Sequence, residues 1–537
     1  MPSVFARPNK FNLSHTNILT CEMGALVPFL TQEVLPGDEF RIRTDAMVRL
    51  APMLAPIFGE VDFYTHYFYV PTRTVWGGFE EFITNGLELG TTEVVPPYVI
   101  GPSAESSSTV YAGPGSLLDY LDYPCGDSAG ANNASVCSVV NGGRFSALPL
   151  RVYNKIFNDW YRNEFLQQER KNPIKNGSTA WYEIANDVAK RCWPRDYVTS
   201  ALPFTQLGDP VTIPVGITSA PVTLTATDTN NIWTGGAGTT EVDNVRLQGT
   251  GNGEGYLQNQ DTGSRINLKN ITSLFTAEAD LSQAYSTTIN DLRTAFQLQR
   301  IMERKARSGN RYVEYLAASF GVRSPDARLQ RAEFLGGGKS PIMISEVLQT
   351  SAGTQSSPQG NMAGHGFGAS RSFSVNKAFT EHGYIMGILS IMPKPSYFQG
   401  RRRELARWSW TDYYQPEFAH LGEQAVYKSE LVSNSSTVPS GSFEHGDIFG
   451  YQPRYEEYRR KLSGVHGDFR RSMAYWHLAR AFSDVPTLNA DFVACTPSKR
   501  IFAAGDQADR PCWVEMYLDI KAIRPLPKHG APGFMDH

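Results

Sequence analysis

The segments that read most firmly as β-strand stand at opposite ends of the chain. In residues 38–50, Phe40, Ile42, Thr44, Ala46, Val48 and Leu50 alternate with Arg41, Arg43, Asp45, Met47 and Arg49. An extended segment with that order buries one face and wets the other. Pro36-Gly37-Asp38 ahead of it reads as a turn. Hundreds of residues later, Cys512, Val514, Met516, Leu518 and Ile520 alternate in the same way with Trp513, Glu515, Tyr517, Asp519 and Lys521. Residues 62–70 (Asp-Phe-Tyr-Thr-His-Tyr-Phe-Tyr-Val) are aromatic on both faces, as a strand covered on both sides would be. Residues 384–392 read likewise and stop at Pro393.

Helical periodicity lies between these strands. In residues 151–168, Val152, Tyr153, Ile156, Phe157, Trp160, Tyr161 and Phe165 form one stripe. A second helix is expected from about Thr288, with Asp291 in a capping-box-like position and Leu292, Ala295, Phe296 and Met302 on its face. Arg311–Phe320 forms a third, closed by Gly321. Residues 470–482 are expected as a fourth, with Met473, Tyr475, Trp476, Ala479 and Phe482. Each stripe is read as core packing. Residues 91–143 and 216–275, poor in charge and rich in Gly, Ser, Thr and Asn, look inserted, and residues 350–370 look like a mobile polar loop.

Composition narrows the class. The chain has 537 residues, enough to bury a core without disulfide or metal staples. Its 41% hydrophobic and 19% charged content is that of a globular protein, and 47 glycines, 33 prolines and 12% aromatics suit β-rich folds with long turns. A net charge of −3 argues against a free polybasic nucleic-acid binder. No signal peptide and no bilayer-length apolar run is read, so no membrane insertion is expected. The six cysteines show no C-x-x-C spacing and are read as reduced thiols, Cys125 and Cys137 being the one pair considered for bridging. The five N-x-S/T sequons carry little weight without a secretory route. There is no internal repeat and no heptad run.

Catalytic signatures are lacking. Gly336-Gly337-Gly338-Lys339-Ser340 ends like a phosphate loop, but Glu333 occupies the first glycine position, and a tight turn with positive φ is the plainer reading. There is no G-x-S-x-G and no H-E-x-x-H. His66 and His477 read as satisfied core or interface residues. No catalytic residue, cofactor or metal is expected, and the chain is not expected to be an enzyme. The basic residues are more suggestive. Arg401, Arg402, Arg403 and Arg407 precede Trp408, Trp410, Tyr413 and Tyr414; Arg454, Arg459, Arg460 and Lys461 interleave with Tyr455 and Tyr458. Guanidinium and aromatic groups together suit single-stranded nucleic acid. Neutralisation by Glu404, Glu456 and Glu457 at subunit contacts is the competing account, and the weightier one for any single residue.

Several longer motifs go further. Arg195-Asp-Tyr-Val-Thr-Ser-Ala-Leu-Pro-Phe204 resembles a D-Y-F-T-S-A-L-P segment of the microvirus major capsid protein, gokushovirus branch. Further segments are similar to that family: Asn290–Gln297, Ser324–Arg331 followed by Glu333–Gly338, Ala419–Gln424, Tyr451–Arg459, and Phe469 through Leu478. So is the pattern Tyr153, Asn154, Ile156, Asn158, Trp160, Arg162. The matches run in order from Phe11-Asn-Leu-Ser14 to the C-terminal strand, with residues 91–143 and 216–275 unmatched.

The resemblance implies a mainly β chain: a single eight-stranded antiparallel jelly roll with long inter-strand insertions that contain several helices. Split terminal strands agree with that, since a jelly roll pairs N- and C-terminal strands. The expected organisation is one capsid domain over 1–537. Within it lie a surface loop (91–143), a helix-containing insertion (144–215), a threefold protrusion for host attachment (216–275), a helical and loop insertion (276–383), and C-terminal jelly-roll strands (384–537) with an inserted helix 470–482. The resemblance further implies pentamers and a sixty-copy T=1 shell around circular single-stranded DNA, in a virion assembled in the bacterial cytoplasm. Its implied partners are a small basic DNA-binding protein, a pilot protein, an internal scaffolding protein and a host-surface receptor, glycans among the candidates. A jelly-roll carbohydrate-binding protein or glycoside hydrolase is the alternative, and a tail or pilus adhesin a third class.

Overall fold

The computed structural model describes residues 8–84, 94–100, 113–123, 144–180, 183–209, 211, 222–226, 245–249, 255–259, 265–266, 275–279, 289–309, 311–348, 362–371, 374–433, 447–503 and 510–528. Two compact units arise: residues 1–207 with 303–537, and residues 208–302.

The larger unit is organised by ten strands: β1 (Asn9–Asn12), β2 (His15–Cys21), β3 (Val27–Val34), β4 (Glu39–Leu50), β5 (Val61–Pro71), β6 (Glu333–Leu348), β7 (Met362–Arg371), β8 (Val375–Ala378), β9 (Gly383–Pro393) and β10 (Cys512–Arg524). They pair in the order β1-β10-β4-β7-β6-β5-β9-β3, with β2 also on β10 and β8 on β4, all antiparallel. The two ends of the chain are therefore neighbours. Leu50 faces Cys512 and Glu39 faces Ile523, so Phe40, Ile42, Thr44, Ala46, Val48 and Leu50 share one buried face with Val514, Met516, Leu518 and Ile520. A slip of one residue would turn all of them to solvent, which fixes the register.

The curled antiparallel sheet is the expected jelly-roll frame. Short β1 and β2 both lie along β10 and bring the count to ten. The long β6 joins its two leaves, since residues 333–342 pair with β5 and 343–348 with β7. Between the leaves lies the main core, which includes Phe40, Ile42, Phe63, Tyr67, Ile385, Ile391 and Leu518. Each such side chain contributes about 1.5–3 kcal/mol on burial. Two polar devices lock this frame. Thr44 Oγ1 and Tyr67 OH hydrogen-bond inside the core. Arg524 meets the fully buried Asp38 at 2.8 Å and donates to the Glu33 carbonyl at 3.0 Å.

The double-sided aromatic pattern of β5 has a direct cause. Phe68 and Val70 point away from the main core into a second one, with Met386 and Ile388 of β9. A helix, α1 (Leu148–Ile156), completes it with Leu150, Val152, Tyr153 and Ile156. A π-helical turn, Phe157–Tyr161, extends α1 and ends the helical run before Phe165. Fully buried Arg151 ties this layer to its loops through the carbonyls of Val75 (3.1 Å) and Lys175 (2.9 Å). Burial presses its guanidinium down to about 10.

Several expectations are corrected. The glycine run 336–338 lies in β6, not in a turn: Gly336 (φ 143°) sits at a bulge opposite β5, and a Cβ on Gly337 would collide with the Thr65 carbonyl. Residues 276–383, expected as helix and loop, also hold β6, β7 and β8, and residues 362–370 are strand instead of loop. The helix expected at 470–482 is absent. Gly467–Arg470 and Ala474–Trp476 are short 3-10 turns, and Arg500 donates to the carbonyls of Ala474 (2.9 Å), His477 (2.9 Å) and Ala479 (2.8 Å), groups a helix would have bonded itself. His477 is nonetheless a satisfied core residue, bonded to the Phe469 carbonyl at 2.7 Å. The helix α2 (Ile289–Ser308) forms as expected, but Leu292 and Phe296 are exposed, not core. The helix α3 (Tyr312–Phe320) ends at Gly321, which adopts φ 69° as the C-cap requires.

In the unit 208–302, Val222–Ala226 pairs antiparallel with Phe275–Ala279, which brings the two ends of the intervening segment together. A separate three-stranded sheet joins Val245–Gly249, Gly255–Asn259 and Arg265–Ile266. Much of 91–143, including Cys125 and Cys137, lies outside the described residues, as does much of 216–275. Cys21, Cys192, Cys495 and Cys512 are free thiols. No helix among the described residues is long and apolar enough to cross a membrane.

Candidate functional site

The basic region is carried by a small core of its own. The hairpin of Glu423–Tyr427 and Ile448–Pro453 packs Val426 and Phe449 against Tyr197, Val198, Ala201, Tyr397, Leu431, Val432 and Phe492. The motif at 195–204 supplies the floor. Asp196 accepts from the backbone of Val198 (2.8 Å) and Thr199 (2.7 Å), capping a turn, and receives the Tyr397 hydroxyl at 2.9 Å. The next residue, Tyr197, donates its hydroxyl to Glu430 at 2.9 Å.

Three carboxylates organise the arginines above this floor. Glu430 receives Arg403 at 3.2 Å, and its carboxyl is raised, by burial first, with Arg403 opposing. Glu457 meets Arg403 at 3.9 Å and Arg407 at 3.4 Å, and accepts Gln424 at 2.7 Å. Glu456 receives Arg459 at 3.0 Å and Arg460 at 2.9 Å. All three carboxylate side chains are nearly or fully buried, so removing their cations would strand charge in a poorly hydrated place. Aromatic rings complete the pairing. Arg407 lies 4.8 Å from the Tyr458 ring centroid and 5.5 Å from that of Tyr413, and Arg454 is 5.2 Å from both Phe418 and Tyr455. Tyr455 takes φ 65°, held there by the Gln424 side chain on its N–H at 3.1 Å.

The eight basic candidates thus separate. Arg403, Arg407, Arg459 and Arg460 are held by glutamates, and Arg454 by aromatic faces and the Thr411 carbonyl at 3.4 Å. Among the described residues Arg401, Arg402 and Lys461 form no ion pair, and they line one pocket of about 360 Å³ together with Arg403 and Arg460. Arg401 keeps a buried Nε without a hydrogen bond. Arg402 Nη2 and His466 Nε2 converge over Gly464, 3.5 and 3.2 Å from where its Cβ would stand. Arg470, which follows the second basic run in sequence, also lines the pocket, as does His466, which escaped sequence reading because it lies outside the runs that interleave with aromatics. Glu404, Glu430 and Glu457 line the pocket too, so it is a small concavity of mixed charge in which cations outnumber carboxylates. In the same segment Trp408 and Trp410 are 84% and 70% accessible. No group of three His, Cys, Asp or Glu residues able to hold a metal ion occurs among the described residues.

The jelly-roll frame with long insertions carries, at 408–414 and 458, exposed aromatic side chains of the type enriched at contacts between macromolecules. Comparison with known proteins gives the class: residues 1–534 match the model of the phage capsid protein described as "Capsid protein (F protein)", and the chain belongs to that family. Its similarity to relatives narrows the branch to the gokushoviruses. Capsid protein VP1 of Chlamydia phage 1 is 35% identical over 99% of this chain and 96% of its own. Capsid protein VP1 of Bdellovibrio phage phiMH2K is 33% identical over 99% and 96%, and that of Spiroplasma virus 4 is 29% identical over 98% and 95%. The chain's role is therefore structural, in the capsid of a bacteriophage virion.

Proposed function

We propose that sixty copies of this chain close into a T=1 shell, through pentamers, around a circular single-stranded DNA genome. The observation that carries the self-association is the surface around the basic region. Trp408, Trp410, Leu405, Tyr413, Tyr414 and Tyr458 are all exposed on one chain, over a stretch where Arg, Trp and Tyr dominate. Those residue types are the ones enriched at protein interfaces. Repeated closing contacts need only be weak individually, since many act together.

Within that shell, Arg401, Arg402 and Lys461 face the genome and receive its phosphates, while the glutamate-paired Arg403, Arg407, Arg459 and Arg460, with Arg454, hold the local fold. At −3 per chain the shell does not neutralise DNA, so a small basic protein and cations share that task. A pilot protein travels with the particle and an internal scaffolding protein guides assembly in the bacterial cytoplasm. Residues 216–275, within the unit 208–302, build the threefold protrusion that meets the host receptor.

Electron microscopy of material purified from the natural source, with nuclease-protected nucleic acid assayed in parallel, tests this. Closed particles of one diameter holding protected single-stranded DNA are expected. Monomers without protected DNA, even with assembly partners supplied, would overturn it.

A further inference from the structure

A second cavity, of about 500 Å³, opens in the larger unit, where the segments around 160–162, 195–199 and 334 come together. One wall is aromatic. β5 supplies Tyr64, His66 and Phe68, the π-turn after α1 supplies Trp160 and Tyr161, and β6 supplies Phe334. Trp160 and Phe334 remain 36% and 41% accessible; Arg331 lies 4.7 Å from the Trp160 ring centroid, and the exposed remainder of the two rings is the surface open to a ligand. His66 shares a hydrogen bond with the Tyr161 hydroxyl at 2.7 Å. Burial, and then the charge of Arg191, press its imidazole down to about 4, so it presents a neutral ring.

The other wall is cationic. Arg162, Arg191, Arg195 and Arg311 line it against a single carboxylate, Glu314, which Arg311 meets at 3.4 Å. Arg191 donates to Ser390 Oγ at 2.9 Å and lies 4.3 Å from the Tyr64 ring centroid. Arg162 donates at 3.4 Å to the Gln167 carbonyl, and its Nε is buried with no hydrogen-bond partner. Among the described residues Arg162, Arg191 and Arg195 form no ion pair. Three uncompensated guanidinium groups around one concavity favour entry of an anion. The exposed rings beside them favour a planar, stackable one. A basic peptide would be repelled, and a neutral sugar would leave the arginines uncompensated. The volume lies in the range of small-ligand sites.

We propose that this cavity holds one nucleotide of single-stranded DNA, with the base against Trp160, His66 and Phe334 and the phosphate against Arg162 and Arg195. The source of the ligand rests on the shell reading above; the chemistry of the cavity does not.

The test is a titration of the purified full-length chain with deoxyadenosine monophosphate, followed by tryptophan fluorescence. Saturable quenching is expected, with deoxyadenosine or inorganic phosphate alone binding about tenfold more weakly or worse, the scale of one lost stacking or charged contact. Trp160→Phe should reduce the signal, with the remainder coming from Trp193, which also lines the cavity. Arg195→Glu, at an exposed position, should weaken binding about tenfold, and Phe334→Leu should do so by stacking loss. Arg41→Glu, on the exposed face of β4, should leave it unaltered. Equal affinity in the Arg195→Glu and Phe334→Leu proteins, or no saturable response, overturns the proposal. If closed particles with protected DNA form while these two variants bind normally, the cavity assignment fails and the shell stands. If no particles form, the titration still decides the cavity.

Discussion

The ladder of β4 and β10 and the basic segment 401–461 are built on opposite principles. Along the ladder every second side chain is buried, and the charged pair Arg524–Asp38 is closed within one chain. Along 401–461 the described backbone is short 3-10 turns, connecting loops and one hairpin; arginines stand over buried glutamates, and two tryptophans stand in water. The buried face of the ladder is finished within one chain, while its outer face leaves Trp513 and Tyr517 each 46% accessible. The basic segment has a finished interior, in Glu430, Glu456 and Glu457 with their cations, under an unfinished exterior. A coat protein needs both: a frame that does not depend on neighbours, and a surface stable enough to wait for them.

Substitutions can break that contrast in a graded way. The largest effect is expected at Arg524→Ala, which strands the fully buried Asp38; denaturant unfolding should show a loss of about 3–5 kcal/mol. The next concerns pH. His66 stays neutral in the folded chain down to about 4 but titrates at its ordinary 6.5 when unfolded. Its contribution is therefore complete above pH 6.5 and is lost as pH falls towards 4, by no more than about 3 kcal/mol. His66→Gln should flatten the stability profile over that window, and an unchanged slope would refute the assignment.

Trp408→Ser with Trp410→Ser should do the reverse of Arg524→Ala. The unfolding free energy of the single chain should move by less than about 0.5 kcal/mol. Subunit association, followed by sedimentation, should weaken by about 2 kcal/mol or more per contact if these rings are interface anchors. Smallest of all, Arg459→Ala removes a half-exposed partner of Glu456, which keeps Arg460, and should cost less than about 1 kcal/mol. Were Arg459→Ala as damaging as Arg524→Ala, the division between finished frame and waiting surface would fall.

Much of the frame was legible because strand burial has a period of two and leaves its mark directly in the order of residues. β4 and β10 could be read that way, β5 and β9 as runs apolar on both faces, and the motif at 195–204 pointed to the family. β6 and β7 could not. Their glycines, at 336–338 and at 364, 366 and 368, look like turn and loop, and become strand only because neighbouring side chains and backbones press close: Thr65 and His66 at Gly337, Ala55 at Gly364, Leu50 at Gly366. The apolar stripe at 470–482 misled for a related reason, since Arg500, distant in sequence, takes the carbonyls a helix would need.

At the candidate site the sequence by itself determined which residue types were present, basic and aromatic in alternation, and that no familiar catalytic motif accompanied them. Which arginines are spent and which are free was decided by tertiary structure alone. Glu430 and Glu457 reach Arg403 and Arg407 from separate turns, and only folding brings Arg402, Lys461 and His466 to one pocket. Charge pairing depends on distance and burial, and neither is written in the spacing of residues along the chain.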